Sequence, residues 1–125
     1  MYKYNGDESS DILERALCFV VTTARMINKF PKTTAGFKIG DQLIRSSGSI
    51  GANIAEAKVA RSKKEFVSCL GISLREAEET RYWLRVIKRL NFAIEGSVKI
   101  MISENTEIIK ILVAIINNTR KNHFK

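Results

Sequence analysis

The stretch Arg45-Ser-Ser-Gly-Ser-Ile-Gly-Ala-Asn-Ile-Ala-Glu-Ala57 decides the fold of this 125-residue chain. Two glycines inside a helix cost about 1 kcal/mol each relative to alanine, and close approach of neighbouring helices is the offset that a run of such small side chains offers. On a helical wheel at about 100° per residue, with Ile50 as reference, Ile39, Leu43, Ile54 and Ala57 form a narrow apolar stripe. Gln42, Ser46, Ser49, Asn53 and Glu56 run along one flank of it, and Ser47, Gly51 and Ala55 along the other. Arg45 is the sole charge between Leu43 and Ala55. A helix so poor in charge is covered on more than one side, by its own bundle or by another subunit. Plain core packing accounts for the pattern; a ligand-lined groove is the alternative.

Working outward, the pattern predicts four helices, at about 11–30, 34–60, 62–90 and 97–120. Asp11 with Glu14 makes an acidic cap for the first, and Pro31 stops it. Thr33 or Thr34 opens the second. Ser62 with Glu65 forms a capping box for the third, whose apolar residues Phe66, Leu70, Leu74, Ala77, Leu84 and Ile87 keep helical spacing. The fourth carries Ile108, Ile109, Ile111, Leu112, Val113, Ile115 and Ile116, more than one core-facing stripe accommodates, so its excess is expected to be hidden by self-association, with Ile108 and Ile115 as structural or interface residues. Aggregating β-structure is the competing reading of that run, and Lys110 with the helical flanks speaks against it.

Short connections between long helices give an all-α, antiparallel up-down-up-down four-helix bundle formed as a single domain over residues 1–125. This topology sets levels: Arg45 beside Glu76, and Arg81 beside Glu107, as pairs that fix register more than they stabilise. It also separates Cys18 from Cys69 by about 10 Å along the bundle, too far for a disulfide. Both cysteines read as buried small hydrophobes in a reducing compartment. The chain opens Met-Tyr-Lys-Tyr-Asn-Gly-Asp, without an apolar targeting core, and no uncharged apolar run approaches the roughly 18 residues of a membrane span. A cytoplasmic protein is expected.

The phrases F-P-K-T (30–33), Q-L-I-R-S-S-G-S-I-G-A-N-I-A-E-A (42–57), S-K-K-E-F (62–66) and S-L-R-E-A-E-E-T-R-Y-W-L (73–84), in that order, resemble the bacterial 23S rRNA intervening-sequence proteins. Ser49, Ile50, Asn53, Ile54, Ala55, Glu56, Glu65, Phe66, Glu79, Tyr82, Trp83 and Leu84 fall on that family's signature. Glycine usually follows its N-I-A-E, where this chain has Ala57, so helix two is expected to persist further before the turn. The resemblance implies a four-helix bundle that assembles into a ring-shaped homopentamer. Similar bundles are nucleic-acid-binding accessory proteins of reverse transcriptases in diversity-generating retroelements, and some genes of this type lie inside inserted segments of ribosomal RNA genes.

Charge is the independent handle on function. Lysine and arginine number 21 against 13 acids, for a net +8. In the bundle topology, the end holding the first and third connections gathers Arg25, Lys29, Lys32, Lys38, Arg85, Lys88, Arg89 and Lys99 against Asp41 and Glu95, or +6. The opposite end collects Lys3, Arg15, Lys58, Arg61, Lys63, Lys64, Arg120, Lys121 and Lys125 against Asp7, Glu8, Asp11, Glu14, Glu56 and Glu65, or +3; the waist is −1. Repeated around one rim of a ring, Lys29, Lys32, Lys38, Arg85, Lys88 and Arg89 would engage the phosphate backbone of RNA or DNA without reading its bases. Solvated lysines that merely keep the protein soluble are the competing reading, and a protein-binding adaptor using the uncharged face of helix two or four is another.

Trp83 and Tyr82 sit inside helix three, where a helix or subunit contact is favoured over base stacking. Ser49, Asn53 and Glu56 are read as structural, bonding a neighbouring helix end or a facing side chain. The one histidine, His123, lies in the tail; no metal-spaced cluster, phosphate-cradling loop or nucleophile motif is present. No enzyme activity, cofactor or metal is expected.

Overall fold

The computed structural model describes residues 8–121, with side chains from Ile12 onward. Lys3, Asp7, His123 and Lys125, and the side chains of Glu8 and Asp11, lie outside the described residues. Four helices follow in order: α1 Glu8–Ile27, α2 Thr34–Lys58, α3 Lys63–Leu90 and α4 Glu95–Lys121. Each packs on the next and α1 closes on α4, so the diagonals α1–α3 and α2–α4 stay apart. This is the up-down bundle expected of long helices and short loops.

The core follows a strict heptad in every helix. Ile12, Ala16, Phe19, Thr23, Met26 and Phe30 are buried along α1 and the turn after it, and Gly36, Gly40, Leu43, Ser47, Ile50, Ile54 and Ala57 along α2. On α3 the buried set is Phe66, Leu70, Ser73, Ala77, Thr80, Leu84 and Ile87. On α4 it is Val98, Met101, Asn105, Ile108, Leu112, Ile115 and Thr119. Alternating steps of three and four keep each stripe against its neighbours along the whole length, the packing mode of coiled coils. Ile109 and Ile116 are buried as well and widen the stripe of α4. Most of the isoleucine run therefore lies in the chain's own core, where Ile108 and Ile115, each 1% exposed or less, take a structural role, while Val113 stays 39% exposed.

α2 is fastened on two sides by different means. Toward α1 it presents glycines: a Cβ at Gly51 would lie 3.3 Å from that of Ala16, and one at Gly40 would lie 3.0 Å from Ile27 Cγ2. Toward α3 it presents hydroxyls and backbone. Ser73 Oγ donates to the Ile50 carbonyl at 2.8 Å, and Thr80 Oγ1 lies 2.9 Å from Ser46 Oγ and 2.8 Å from the Glu76 carbonyl oxygen. Small side chains let the helices approach until hydroxyls bridge between them, and burial is tolerated because each hydroxyl has a partner.

Ion pairs at the flanks set register. Arg45 reaches Glu76 at 3.3 Å and also contacts Glu79, whose carboxylate accepts from the Trp83 indole N–H at 3.1 Å. Across the α1–α4 seam, Arg15 forms a bidentate pair with Glu104 at 2.9 and 2.7 Å. The pair expected between Arg81 and Glu107 does not form. Asn105 faces α3, its Nδ2 donating to the Ala77 carbonyl at 3.0 Å, and Glu107, two residues on, is turned about 200° away from that seam. Arg81 pairs instead with Glu78 at 3.4 Å and Glu107 with Lys110 at 3.7 Å, each on its own helix.

Helix ends follow local chemistry. Thr33 Oγ1 caps α2 by accepting from the Gly36 N–H at 3.1 Å, and Ser62 Oγ caps α3 by accepting from Glu65 at 3.1 Å. α1 is described from Glu8, ahead of the expected Asp11 start. α2 closes at Lys58 rather than near residue 60, because the N–H groups of Val59 and Ala60 tighten onto Glu56 and Ala57 at 3.2 and 3.1 Å and carry Ala60 into the core. Cys18 and Cys69 are both free thiols, but Cys18 is exposed, on the side of α1 away from the Ala16–Phe19 stripe, and Cys69 is only partly buried, which corrects the expectation that both are buried.

Gly36 is held small by the turn before it, since a Cβ there would fall 2.0 Å from the Pro31 carbonyl oxygen, whereas Gly71 has open space around it. Gly36→Ala is expected to destabilise the fold by about 1–3 kcal/mol despite its better helix propensity, and Gly71→Ala to stabilise it by about 0.5–1 kcal/mol, measured by urea unfolding. Hydrogen bonding from Arg45, and then from Trp83, holds the Glu79 carboxyl below its ordinary value of 4.5. Its stabilising effect is complete above that pH and fades as pH falls through the lowered value. Thermal melts from pH 7 to pH 3 should thus show a shallower acid decline for Glu79→Gln than for the wild type, and equal declines would remove Glu79 from the acid sensitivity.

Candidate nucleic-acid interface

The polarised end is organised by two aromatic side chains from separate loops. α3 ends in a Schellman arrangement: Asn91 takes the left-handed conformation (φ 56°, ψ 41°), its N–H donates to Lys88, and the Phe92 N–H donates to Ile87 at 3.2 Å. That geometry swings Phe92 against Phe30, with ring centroids 5.6 Å apart, and so ties the third connection to the first. Everything carried by those connections and by the adjoining helix ends shares one pole.

Lys29, Lys32, Lys38, Arg85, Lys88 and Arg89 are all exposed there. None of the six stands in an ion pair with a described residue, although Lys32 Nζ donates to the Asn28 carbonyl at 3.4 Å. Lys99, by contrast, is matched by Glu95 at 3.8 Å. Arg25, Lys88 and Arg89 lie in the last turns of α1 and α3, where they also complement the negative end of the helix dipole. α2 starts at this pole with no acid in its first turn.

The six do not converge on one patch. Lys29, with Arg25, borders a groove of about 580 Å³ between the end of α1 and the start of α4, floored by Met26, Phe92 and Met101 and edged by the exposed Ile94 and Ile100. Lys32 borders a smaller cleft between α1 and α2, with Phe37 and Ile44. Arg85 and Arg89 line a shallow groove of about 290 Å³ with Tyr82 and Val86 on the outer face of α3. The cations thus ring the pole instead of filling one cleft.

The polar and aromatic residues read as structural from the sequence are distributed as follows. Asn53 Nδ2 donates to the Ser49 carbonyl and hydroxyl at 2.8 and 3.0 Å, so both serve their own helix and not a neighbour. Glu56, on the same flank as Ser49 and Asn53, is exposed, without the facing partner expected of it among the described residues. Trp83 is partly buried against the core. Tyr82 is its opposite: it meets the Trp83 ring edge-on at 5.0 Å yet leaves 58% of its surface exposed. The heptad held the signal for this separation, because Tyr82 lies about 200° from both Thr80 and Leu84, which face the core. Sequence reasoning missed Arg15–Glu104, Asn105 and the hydroxyl pair Ser46–Thr80; the last was signalled by Ser73 and Thr80 lying one heptad apart on α3.

Among the described residues no three His, Cys, Asp or Glu side chains group closely enough to hold a metal ion, and no helix is long and apolar enough to cross a membrane. Burial, followed by the nearby carboxylates of Glu65 and Glu56, pushes the Cys69 thiol above its ordinary value, so it stays protonated.

Comparison with known proteins places this bundle. A solved structure from Bacteroides thetaiotaomicron, described as a protein with unknown function from the S23 ribosomal protein family, is similar at 33% identity and a TM-score of 0.82, over 88% of this chain and 98% of that one. A comparison with curated proteins returns no match. Residues 8–114 match the family described as 23S rRNA-intervening sequence protein, and with the heptad stripes and the small-residue α2 inside that span, the chain belongs to this family.

Proposed function

We propose that the protein is a non-enzymatic, oligomeric helical scaffold that holds RNA or DNA through the basic pole, without reading base sequence. The observation carrying this reading is that Lys29, Lys32, Lys38, Arg85, Lys88 and Arg89 are exposed at one end and have no acidic partner among the described residues. Six unpaired cations at one end project a positive field; Lys64, Arg120 and Lys121 are exposed at the other end too, but with Glu14 and Glu56 among them, and between the ends Arg45 is shared by Glu76 and Glu79 while Arg15 holds Glu104. The family description itself names an RNA, and a homopentameric ring of the kind implied by the resemblance would repeat the pole five times around a rim. Binding of this type is driven by counterion release and weakens steeply with salt.

A protein-binding adaptor is the second reading, and one feature favours it. The groove between α1 and α4 leaves Ile94 and Ile100 exposed at 74% and 68%, an apolar edge that a partner chain would cover. Nuclease treatment separates the two readings, because a partner retained after digestion is held by protein contacts.

Lys88→Glu with Arg89→Glu tests the pole. Fluorescence anisotropy with a labelled duplex at low salt should show at least a tenfold loss of affinity, and the slope of log K against log salt should shrink by about 2, as two phosphate contacts are lost. Light scattering should give the same mass for both proteins. Unchanged affinity at unchanged mass removes the basic pole from nucleic-acid binding.

A further inference from the structure

We propose that the outer face of α3 is a track for a single strand of RNA or DNA, with Tyr82 as the platform on which a base stacks and Arg85 and Arg89 as the groups that hold the adjoining phosphates. The proposal rests on the basic-pole reading and adds to it the strandedness of the ligand and the route the strand takes.

Three observations carry it. First, Tyr82 is a large aromatic side chain that the fold does not use: the core heptad passes through Thr80, Leu84 and Ile87, and the Tyr82 ring stays 58% exposed. Second, it is held in place. Trp83 meets it edge-on at 5.0 Å, the Trp83 indole donates to Glu79 at 3.1 Å, and Glu79 is in turn gripped by Arg45 of α2. An aromatic face ordered before binding loses little freedom when a base stacks on it. Third, Tyr82, Arg85, Val86 and Arg89 line one shallow groove and fall within a strip about 100° wide, the cations lying roughly 4.5 and 10 Å beyond Tyr82 along the axis.

Charge gives the track a direction. Toward the waist, the carboxylates of Glu78 and Glu79, paired with Arg81 and Arg45, stand beside the strip and repel phosphate even though Arg75 is exposed one heptad back; toward the pole no acid flanks Arg85 and Arg89, which have no ion-pair partner among the described residues. A strand with one base on Tyr82 therefore runs its phosphates toward the end of α3, into the field of Lys88 and the other polar cations. A duplex reaches the same cations through its phosphates, but its bases are stacked on one another and gain nothing from Tyr82. Base stacking on an aromatic side chain tolerates any base, in keeping with the lack of base-reading groups beside Tyr82.

The test compares wild type, Tyr82→Ala and Tyr82→Phe at low salt by fluorescence anisotropy, using oligouridylate, oligothymidylate and a mixed-sequence duplex, each of about 20 nucleotides per strand. Tyr82→Ala should lose roughly five- to a hundredfold in affinity for the single strands, keep its duplex affinity within about twofold, and melt at the wild-type temperature. Tyr82→Phe should retain single-strand affinity, and the two oligomers decide between RNA and DNA. Equal single-strand affinities for wild type and Tyr82→Ala, with duplex binding intact, overturn the track and leave the basic pole standing. A wild-type protein that binds none of the three probes overturns both.

Discussion

The closeness of α2 to its two neighbours is the constraint on which the bundle depends. Gly51 against Ala16 and Gly40 against Ile27 bring α1 within reach, and Ser46, Ser73 and Thr80 bring α3 near enough for hydroxyls to bridge directly. Glycine in a helix gives up about 1 kcal/mol of propensity, and tight packing of the fully buried Leu43, Ile50 and Ile54, each worth about 1.5–3 kcal/mol on burial, offsets it. Without that approach, the heptad stripes of α1 and α3 would face gaps.

Apolar stripes alone leave a bundle free to slide, and polar contacts suppress that freedom. Asn105, buried in the α4 stripe, donates to the Ala77 carbonyl and fixes one level of α4 on α3, as a single buried asparagine does in coiled coils. Arg15–Glu104 sets α1 against α4, and Arg45 with Glu76 and Glu79 sets α2 against α3. All of these pairs are partly exposed, so each adds at most about 1 kcal/mol. The same Glu79 that grips Arg45 also orients Trp83 and, through it, Tyr82, so a register contact at the waist extends to the surface of α3.

Much of the fold was legible in the sequence because the signals are periodic. Ile50 as the centre of a stripe, Ser62 and Thr33 as caps, and Pro31 as a break all act locally or repeat every heptad. What escaped depends on distant partners or fine angles. Nothing near Arg15 announces Glu104, 89 residues away. Level matching placed Arg81 and Glu107 at one height but could not place them on facing sides, and Glu107 points away from α3. How much of the α4 isoleucine run the chain's own core takes up was not legible either, because four-helix closure buries a wider arc than one stripe, with Ile109 and Ile116 inside it. At the pole, the six cations were found by charge and topology; the separation of four of them, Lys29, Lys32, Arg85 and Arg89, over three grooves, and the parting of Tyr82 from Trp83, required side-chain directions.

Short residues occupy the middle of α2, and that is what lets it lie between α1 and α3. Native-state hydrogen exchange along α2 tests its central role most directly. If α2 is locked between α1 and α3, the amides of Ser46 to Ile54 exchange only through global unfolding, with the same free energy and denaturant dependence as the most protected amides of Leu70 to Leu84. Exchange of the α2 amides through local opening, at free energies well below those of α3, would contradict the account.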